Sequence, residues 1–563
     1  MSTSVTSRRS VPKRPVPRRA APSRTDTKRA PAWALSILFI GAFFYIGVFA
    51  IALGDSNTEL IHGLALMPIF VGLTVPIALY VARKDRDPTL IGIVMAGVVA
   101  KLMAGLLRFF VSFEVYKTSD AAQYSDAATA ISRDLRRGAF DAVSIATTSG
   151  TYFIKVVSGI VYAVAGVSRV GGFVVFSWLS FVGLVLLARA FKLAIPVGDS
   201  RRYLILVLFL PSLVYWPAAM GKEAWMMLTI GMCAYGFAGI LRGRATAILV
   251  LGFGLLGAVA VRPHVAMMIF VGIGCAFLAR RTNAKTFLMP MMWIIALAAM
   301  VAVGGFLAGQ TANFVDKELK NSGSDTAGSG LSAQAISETL STTETQTADG
   351  GSEFTPITVS SPLDMIPAFV TVFFRPFPFE ASNAQSLLSA GECLLLLALI
   401  AWSWKRVRST PRLFRSYPYL AFCAGYLLVF VFAFSSFSNF GILARQRVQA
   451  LPFLLVFLAL PEITSLGRKP GREWMTSPSH SRPRKGQPRN RRRALAAARA
   501  SEDEEILTPG HDAVVPEPSV PEPREPEPRE PEPREPDGVS DGTTLEPRRG
   551  VEPRRGSGGR HRA

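Results

Sequence analysis

The first polar stretch long enough to carry chemistry follows three apolar runs and extends from Glu114 to Val143. Within it, Asp120 and Tyr124 are one turn apart and share a face of a predicted short amphipathic helix. Asp126 is rotated well away from Asp120, which excludes two carboxylates that converge on one atom. A single carboxylate can act as a general base. From this stretch alone, however, the pattern favours Asp120 as an N-cap, with Gln123 three residues later as its capping-box partner.

The elements that position these residues are long and apolar. Runs near the length of a bilayer span recur from Trp33 to Leu460, each bounded by charge or by Pro and Gly. Half of the 563 residues are hydrophobic, the mean hydropathy is positive, and no long stretch alternates with period two. The sequence therefore predicts an all-α, multi-pass integral protein of the plasma membrane, with about twelve transmembrane helices.

The net charge of +21 does not indicate nucleic-acid binding, because the basic residues gather in the two tails and in short loops between apolar runs. Residues 1–30 form a predicted disordered cytoplasmic tail that contacts membrane lipids. Residues 465–563, basic at first and then repeating Pro-Glu-Pro-Arg-Glu, form a second disordered cytoplasmic tail, suited to a cytoplasmic partner.

The membrane domain is predicted to comprise residues 31–464, with external loops at about 114–150 and 309–384. The apolar run Thr151–Gly166 is short, and five later basic loops fall on the cytoplasmic side only if it does not span. We therefore expect it to be re-entrant or to lie on the surface. Residues Asn321 to Glu353 are predicted to be flexible, without structure of their own. The predicted spans are 33–53, 64–82, 89–113, 171–190, 203–219, 222–241, 245–262, 264–280, 287–308, 385–403, 417–437 and 447–464.

With this topology, the charged residues outside the basic loops fall on the external face. Arg and Lys that lie there against the positive-inside rule indicate an anionic, lipid-linked ligand. The alternative is that they anchor the interface or form ion pairs at helix ends. These residues and their neighbours are Lys222, Glu223, Arg262, His264, Arg375, Glu380, Arg445 and Arg447.

Two charges fall inside predicted spans, Lys101 and Glu392. A charge at the centre of a bilayer costs on the order of 2.5–3.5 kcal/mol, so each is expected to face protein or water and to have a partner. Whether they pair with each other is open. The four cysteines all lie in apolar runs and are expected to be small packing residues.

Three segments resemble the polyprenyl-phosphate-sugar-dependent membrane glycosyltransferases of the GT-C type. They are S-D-A-A-Q-Y with the following A-A-x-A and Gly, P-S-L-V-Y-W-P-A-A-M-G-K-E-A, and A-R-Q-R-V-Q-A-L-P-F-L-L. The chain departs from that group in having two additional spans before the acidic loop and Ala rather than a second acid after Asp120. The resemblance implies that Asp120 is the catalytic base, with Asp126 as the second candidate. The D-x-x-x-Y pattern is also similar to O-antigen-polymerase-like proteins.

We therefore expect an external-face glycosyltransferase in cell-envelope polysaccharide or glycoconjugate synthesis. It would take a polyprenyl-phosphate-linked sugar and a glycan or lipid acceptor, with Tyr124 in the substrate site. Arg375, Arg445 and Arg447 are the candidates for binding the leaving phosphate, and His264 is an additional one. The sequence identifies no cofactor, and a role for a divalent metal stays open. The alternatives are an O-antigen-type polymerase and, from another class, a transporter or envelope-assembly scaffold. A transferase site requires Asp120 and Arg445 to line one external cavity.

Overall fold

The structure is a computed structural model, and every regular element within its described residues is a helix, so the predicted all-α fold is confirmed. The predicted tails lie outside the described residues except for Ala30. The described residues are 30–115, 120–140, 150–279, 289–321, 331–348, 353–357, 359 and 361–462. The α-helices are α1 (Ala32–Gly54), α2 (Thr58–Asp85), α3 (Thr89–Phe110), α4 (Asp120–Arg136), α5 (Thr151–Ala165), α6 (Arg169–Ala194), α7 (Ser200–Phe209), α8 (Pro211–Tyr215), α9 (Lys222–Leu241), α10 (Ala247–Val261), α11 (Pro263–Ala279), α12 (Met289–Asn321), α13 (Ala333–Ala348), α14 (Met365–Phe374), α15 (Ala384–Trp402), α16 (Trp404–Val407), α17 (Thr410–Phe414), α18 (Pro418–Phe434), α19 (Phe440–Gln446) and α20 (Leu451–Leu458).

Six of the described helices are long and apolar enough to cross a membrane: α1, α2, α3 with its extension to Val115, α6, α9 and α15. The number rises to eight if each of two bent helix pairs is one span. The prediction of about twelve spans is therefore not confirmed in the described part of the chain. Helices α10 and α11 have 15 and 17 residues, fewer than the roughly 20 that cross a bilayer unaided.

The predicted span 203–219 is broken rather than continuous. Helix α7 ends at Phe209, α8 begins at Pro211, and a 3₁₀ turn follows at Trp216–Ala218. Proline at the first turn of a helix is favourable, but it cannot donate the hydrogen bond that would continue α7. Because this segment is largely buried in protein, the interrupted backbone is tolerated at membrane depth.

Helices α3, α6 and α9 are the most buried of the six, and α1 is the least. Helices α6 and α9 cross at Gly183 and Gly231, where a Cβ on either residue would lie 2.3 Å from backbone of the other helix. This close approach of backbones is typical of small residues at helix crossings in membranes. Outward-facing Phe39 and Phe43 on α1 are exposed apolar side chains, as expected of a surface in contact with lipid.

The two charged side chains predicted to lie inside spans, Lys101 and Glu392, form hydrogen bonds with opposite ends of α8. The Lys101 Nζ atom donates hydrogen bonds to the carbonyls of Leu213 and Val214, at 2.7 and 3.0 Å. The Glu392 carboxylate accepts the backbone N–H of Ser212 at 2.7 Å and also its hydroxyl. A carboxylate at the first turn and an ammonium group at the last carbonyls complement the helix dipole. Lys101 and Glu392 therefore fix this short helix rather than pair with each other.

The expectation that 321–353 lacks structure of its own is wrong for α13. Its first turn is capped by the Ser332 hydroxyl, which accepts the Ala335 N–H at 3.1 Å. Ala335 is buried in a small apolar cluster with Val315 and Leu319 of α12. The polar composition suggested a flexible loop. The helix is instead stabilised by its N-terminal cap and by the packing of Ala335 on α12.

Candidate functional site

A cavity of about 330 Å³ lies where α3, α4, α9, α15 and α19 meet. Its wall includes residues separated by more than three hundred positions in the chain, and it combines charged, polar and aromatic side chains. The charged and polar ones are Arg108, Ser112, Asp120, Glu223, Gln385 and Arg445. The structure therefore brings Asp120 and Arg445 to one cavity, as the transferase hypothesis required.

Arg445 joins the two carboxylates of the cavity. Its Nη2 atom lies 3.1 Å from Asp120 Oδ2 and 3.0 Å from Glu223 Oε2, and its Nε atom lies 2.9 Å from Glu223 Oε1. The contact with Glu223 is thus the two-pronged one that a guanidinium group makes with a carboxylate. The Asp120 side chain is 57% exposed and that of Glu223 only 4%. Asp120 is therefore the carboxylate that a ligand in the cavity can reach.

A second arginine also contacts Glu223. Arg262, in the turn between α10 and α11, contacts Glu223 Oε1 through Nη2 at 3.0 Å and Gln446 Oε1 through Nη1 at 2.6 Å. Because Glu223 is buried, its charge would be costly without these two partners. Arg262 and Glu223 together hold Arg445 in position, so they act on the cavity through that side chain.

Tyr124 of α4 lines the same cavity, and its ring lies next to Gly221, which immediately precedes α9. A Cβ at Gly221 would lie 3.3 Å from the Tyr124 ring, so a residue with a side chain there would press on it. Burial, reinforced by the carboxylates of Asp120 and Glu223, raises the pKa of Tyr124 well above its usual range. The phenol therefore stays protonated and keeps its O–H donor.

Arg445 lies on regular helix, within α19. The polar run S-S-F-S-N-F before Gly441 suggests irregular chain that continues through Arg445 and Arg447, but the irregular part ends before α19. Asn439 ends the irregular part, because its side chain accepts the backbone N–H groups of Gly441 and Ile442 and so caps α19. Arg447 follows on a 3₁₀ turn. Residues two apart point to different sides of a helix, and the two guanidinium groups accordingly have different surroundings.

Arg447 is fully buried away from solvent. Its Nη2 atom lies 3.5 Å from Glu392 Oε2, and its Nη1 atom donates to the Arg375 carbonyl at 3.1 Å and to the Cys393 sulfur at 3.0 Å. Glu392 is the same carboxylate that holds α8, so Arg447 ties the last part of the chain to that helix.

Arg375 and Glu380 form a separate ion pair. The Arg375 Nε and Nη2 atoms both donate to Glu380, at 2.6 to 3.1 Å, and the guanidinium group lies over the stacked rings of Phe354 and Phe440. Partial burial opposes ionisation of Glu380, but the hydrogen bonds from Arg375 and from the Phe377 N–H lower its pKa below the usual range.

The remaining predicted residues lie around the cavity rather than in its wall. Asp126 is 73% exposed and lies 3.7 Å from Arg169. Lys222 is the first residue of α9, next to Glu223. His264, at the second position of α11, lies against Phe314 with the rings tilted and their centroids 4.9 Å apart.

Sequence analysis missed Arg108, which lines the cavity from α3. It was passed over as part of an apolar span. A signal was nevertheless present, because Arg108 follows Lys101 by seven positions and therefore lies on the same face of α3 two turns later. Ser112 lies one turn beyond, within a π-helical turn from Val111 to Val115; such turns occur frequently at functional sites.

Within the described ranges, no three His, Cys, Asp or Glu side chains are grouped as metal ligands would be. Comparisons with family models, curated proteins and solved structures returned no match to this chain.

Proposed function

We propose that the protein is a membrane glycosyltransferase that takes a sugar from a polyprenyl-phosphate donor at the external face, in the synthesis of envelope polysaccharide or glycoconjugate. The observation that carries the proposal is the exposed Asp120 carboxylate held by Arg445 at 3.1 Å on the wall of one cavity. The reaction needs a base for the acceptor and a cation for the leaving phosphate, and the cavity wall carries both a carboxylate and arginines.

In the proposed reaction, Asp120 takes the proton of the acceptor hydroxyl while that oxygen attacks the anomeric carbon of the donor. The bond between this carbon and the phosphate oxygen breaks, and polyprenyl phosphate leaves with the electron pair. Arg445 orients Asp120, and the buried Glu223 compensates most of the Arg445 charge through its two-pronged contact. Asp120 therefore shares Arg445 with a second carboxylate, and its exposed side chain remains open to the acceptor.

Contacts of α5 support placing the cavity at the external face. The Gly150 N–H, just before α5, donates to Ala260 near the end of α10 at 2.7 Å. Just after α5, the Ser168 hydroxyl donates to the Glu59 carbonyl at 3.0 Å. Glu59 lies between the first two predicted spans, which is the external side when residues 1–30 are cytoplasmic, and Ala260 precedes Arg262 beside the cavity. Both ends of α5 thus adjoin elements of one side, as a re-entrant or surface helix requires.

This topology predicts different labelling of two introduced cysteines by a membrane-impermeant thiol reagent in intact cells. In a chain without the four native cysteines, Ser337→Cys on α13 is expected to react from outside, and Ser416→Cys in the basic loop before α18 is expected to react only after permeabilisation. Both serines are exposed, whereas Ser409 of the same loop is fully buried and unsuitable. Equal labelling of both positions in intact cells would contradict the topology.

The proposed reaction predicts that the purified full-length protein in liposomes transfers labelled sugar from a polyprenyl monophosphate to total envelope glycan. A nucleotide sugar, which has no polyprenyl chain, is expected to be inert. Transfer of whole oligosaccharides from a polyprenyl diphosphate, without use of the monophosphate, would support the polymerase instead. Folded protein that consumes none of these donors would contradict enzymatic function altogether and favour a transporter or scaffold.

A further inference from the structure

Arg108 lies outside the ion-pair network of the cavity. Asp120 and Glu223 together carry two negative charges, and Arg445 and Arg262 contact them directly with two positive ones. Within the part of the chain that the structure describes, no carboxylate forms an ion pair with Arg108. The charge of this arginine is therefore left without a protein counter-ion on the cavity wall.

The position of the Arg108 guanidinium group is fixed by aromatic rings rather than by acceptors. Its carbon lies 4.9 Å from the Tyr215 ring centroid and 5.1 Å from that of Trp216. Its single described hydrogen bond, from Nη1 to the Tyr215 hydroxyl, is long at 3.4 Å. The Nε atom is buried and has no acceptor among the described residues. Stacking on rings holds a guanidinium plane while leaving its N–H edge for an anion.

Two helices of the cavity wall, α3 with Arg108 and α15 with Gln385, also carry exposed apolar side chains. On α3, the neighbouring Leu107 and Phe110 are 54% and 55% exposed; on α15, Leu388 is 78% exposed. Exposed apolar side chains on membrane helices face lipid. A phosphate at Arg108 could therefore carry a long apolar chain alongside α3 or α15.

We infer that Arg108 is an anion subsite that binds the phosphate group of a polyprenyl phosphate. The planar fork donates two parallel hydrogen bonds to phosphate oxygens. The lipid carrier rests on the proposed function, whereas the subsite itself rests only on the surroundings of Arg108. Arg445 then serves to orient Asp120, and Arg108 takes the leaving phosphate.

The test measures binding of labelled polyprenyl monophosphate to the full-length protein in detergent. Arg108→Gln is expected to raise the Kd about 10- to 100-fold, the effect of losing hydrogen bonds to a charged group. Arg108→Lys keeps the charge without the fork and should weaken binding less. The matched control is Arg169→Gln, because Arg169 also lies over an aromatic ring, 5.1 Å from that of Phe113, but pairs with the exposed Asp126. Its Kd should stay within about twofold of that of the wild type.

Competition separates the two sources of phosphate. If polyprenyl monophosphate competes much better than inorganic phosphate, and polyprenol does not compete, the ligand is a lipid phosphate. If inorganic phosphate competes equally well and Arg108→Gln weakens both, the subsite stands and its ligand is free phosphate. Unchanged binding in Arg108→Gln, or absence of binding to the wild type, overturns the inference. If Arg108→Gln does not fold, Arg108→Lys decides by the same comparison.

Failure of the subsite and failure of the proposed function give different results. If the wild-type protein binds lipid phosphate through Arg108 but transfers no sugar, the subsite is supported and the transferase function is contradicted. If the wild-type protein transfers sugar and Arg108→Gln binds the donor normally, the transferase function is supported and the subsite is contradicted.

Discussion

Replacing Asp120 with Asn is expected to lower the rate of sugar transfer by about 10²- to 10⁴-fold, the contribution of a positioned general base. Asn keeps the size of the side chain and an oxygen that can accept from Arg445, but it cannot take the acceptor proton. If Asp120 served only as a helix cap, Asn would replace it at little cost, since the two residues cap almost equally well. The substitution therefore separates catalysis from helix stability, and initial rates at saturating donor measure it.

Asp126→Asn is the matched control on the same helix. Asp126 lies six positions later, is 73% exposed and makes only a 3.7 Å contact with Arg169. Its replacement should leave the transfer rate within about twofold, because an exposed ion pair contributes little. Full activity in Asp120→Asn together with loss in Asp126→Asn would move the role of base to Asp126. Both variants should elute as the wild type does in gel filtration.

Glu392→Gln is expected to destabilise the folded protein by about 3 to 5 kcal/mol, since it leaves Arg447 charged and buried without a counter-ion. The Gln amide oxygen can still accept the N–H of Ser212, so the loss reports mainly on the ion pair. The measurement is the apparent melting temperature of the detergent-solubilised protein. Asp126→Asn, which breaks an exposed pair, should change it little.

A double variant tests whether the buried charge is the cause. Arg447→Met added to Glu392→Gln removes the uncompensated charge and fills much of the same volume, so it should recover most of the lost stability. If the double variant is less stable than Glu392→Gln alone, the unpaired charge is not the main cause of the destabilisation. The hydrogen bonds from Arg447 to the Arg375 carbonyl and the Cys393 sulfur would then account for the loss.

The long spans were predictable within a few residues. Residues 33–53 and 222–241 were predicted, and the helices are Ala32–Gly54 and Lys222–Leu241. Apolar runs of this length, bounded by charge, fit few other structures. The break at 203–219 was also visible in the sequence, as Pro211 and Pro217, but hydropathy alone favoured a continuous span there.

Contacts between distant parts of the chain were only partly predictable. Loop charge predicted that Asp120 and Arg445 lie at one face of the membrane, but it did not predict that they meet in one cavity. The partners of Glu392 did not follow, since Ser212 is 180 residues away in the chain and donates a backbone N–H that carries no sequence signature. Arg108 was not predicted as a site residue because it lies inside a predicted span and outside the loops whose charges were compared. Its partners are aromatic rings, which leave no charge pattern in the sequence.

The two charges that hold α8 also constrain the order in which the protein is assembled during synthesis. Lys101 emerges from the ribosome 112 residues before Leu213 supplies its acceptor. Helix α8 in turn precedes Glu392 by 180 residues, and Glu392 precedes Arg447 by 55. Lys101 therefore gains its acceptors, and Glu392 its cation, only when a later segment has been inserted, and a charge left alone in the bilayer is costly. A nascent chain truncated before Arg447 would hold Glu392 without its cation, so the final helices complete the assembly of the first ones.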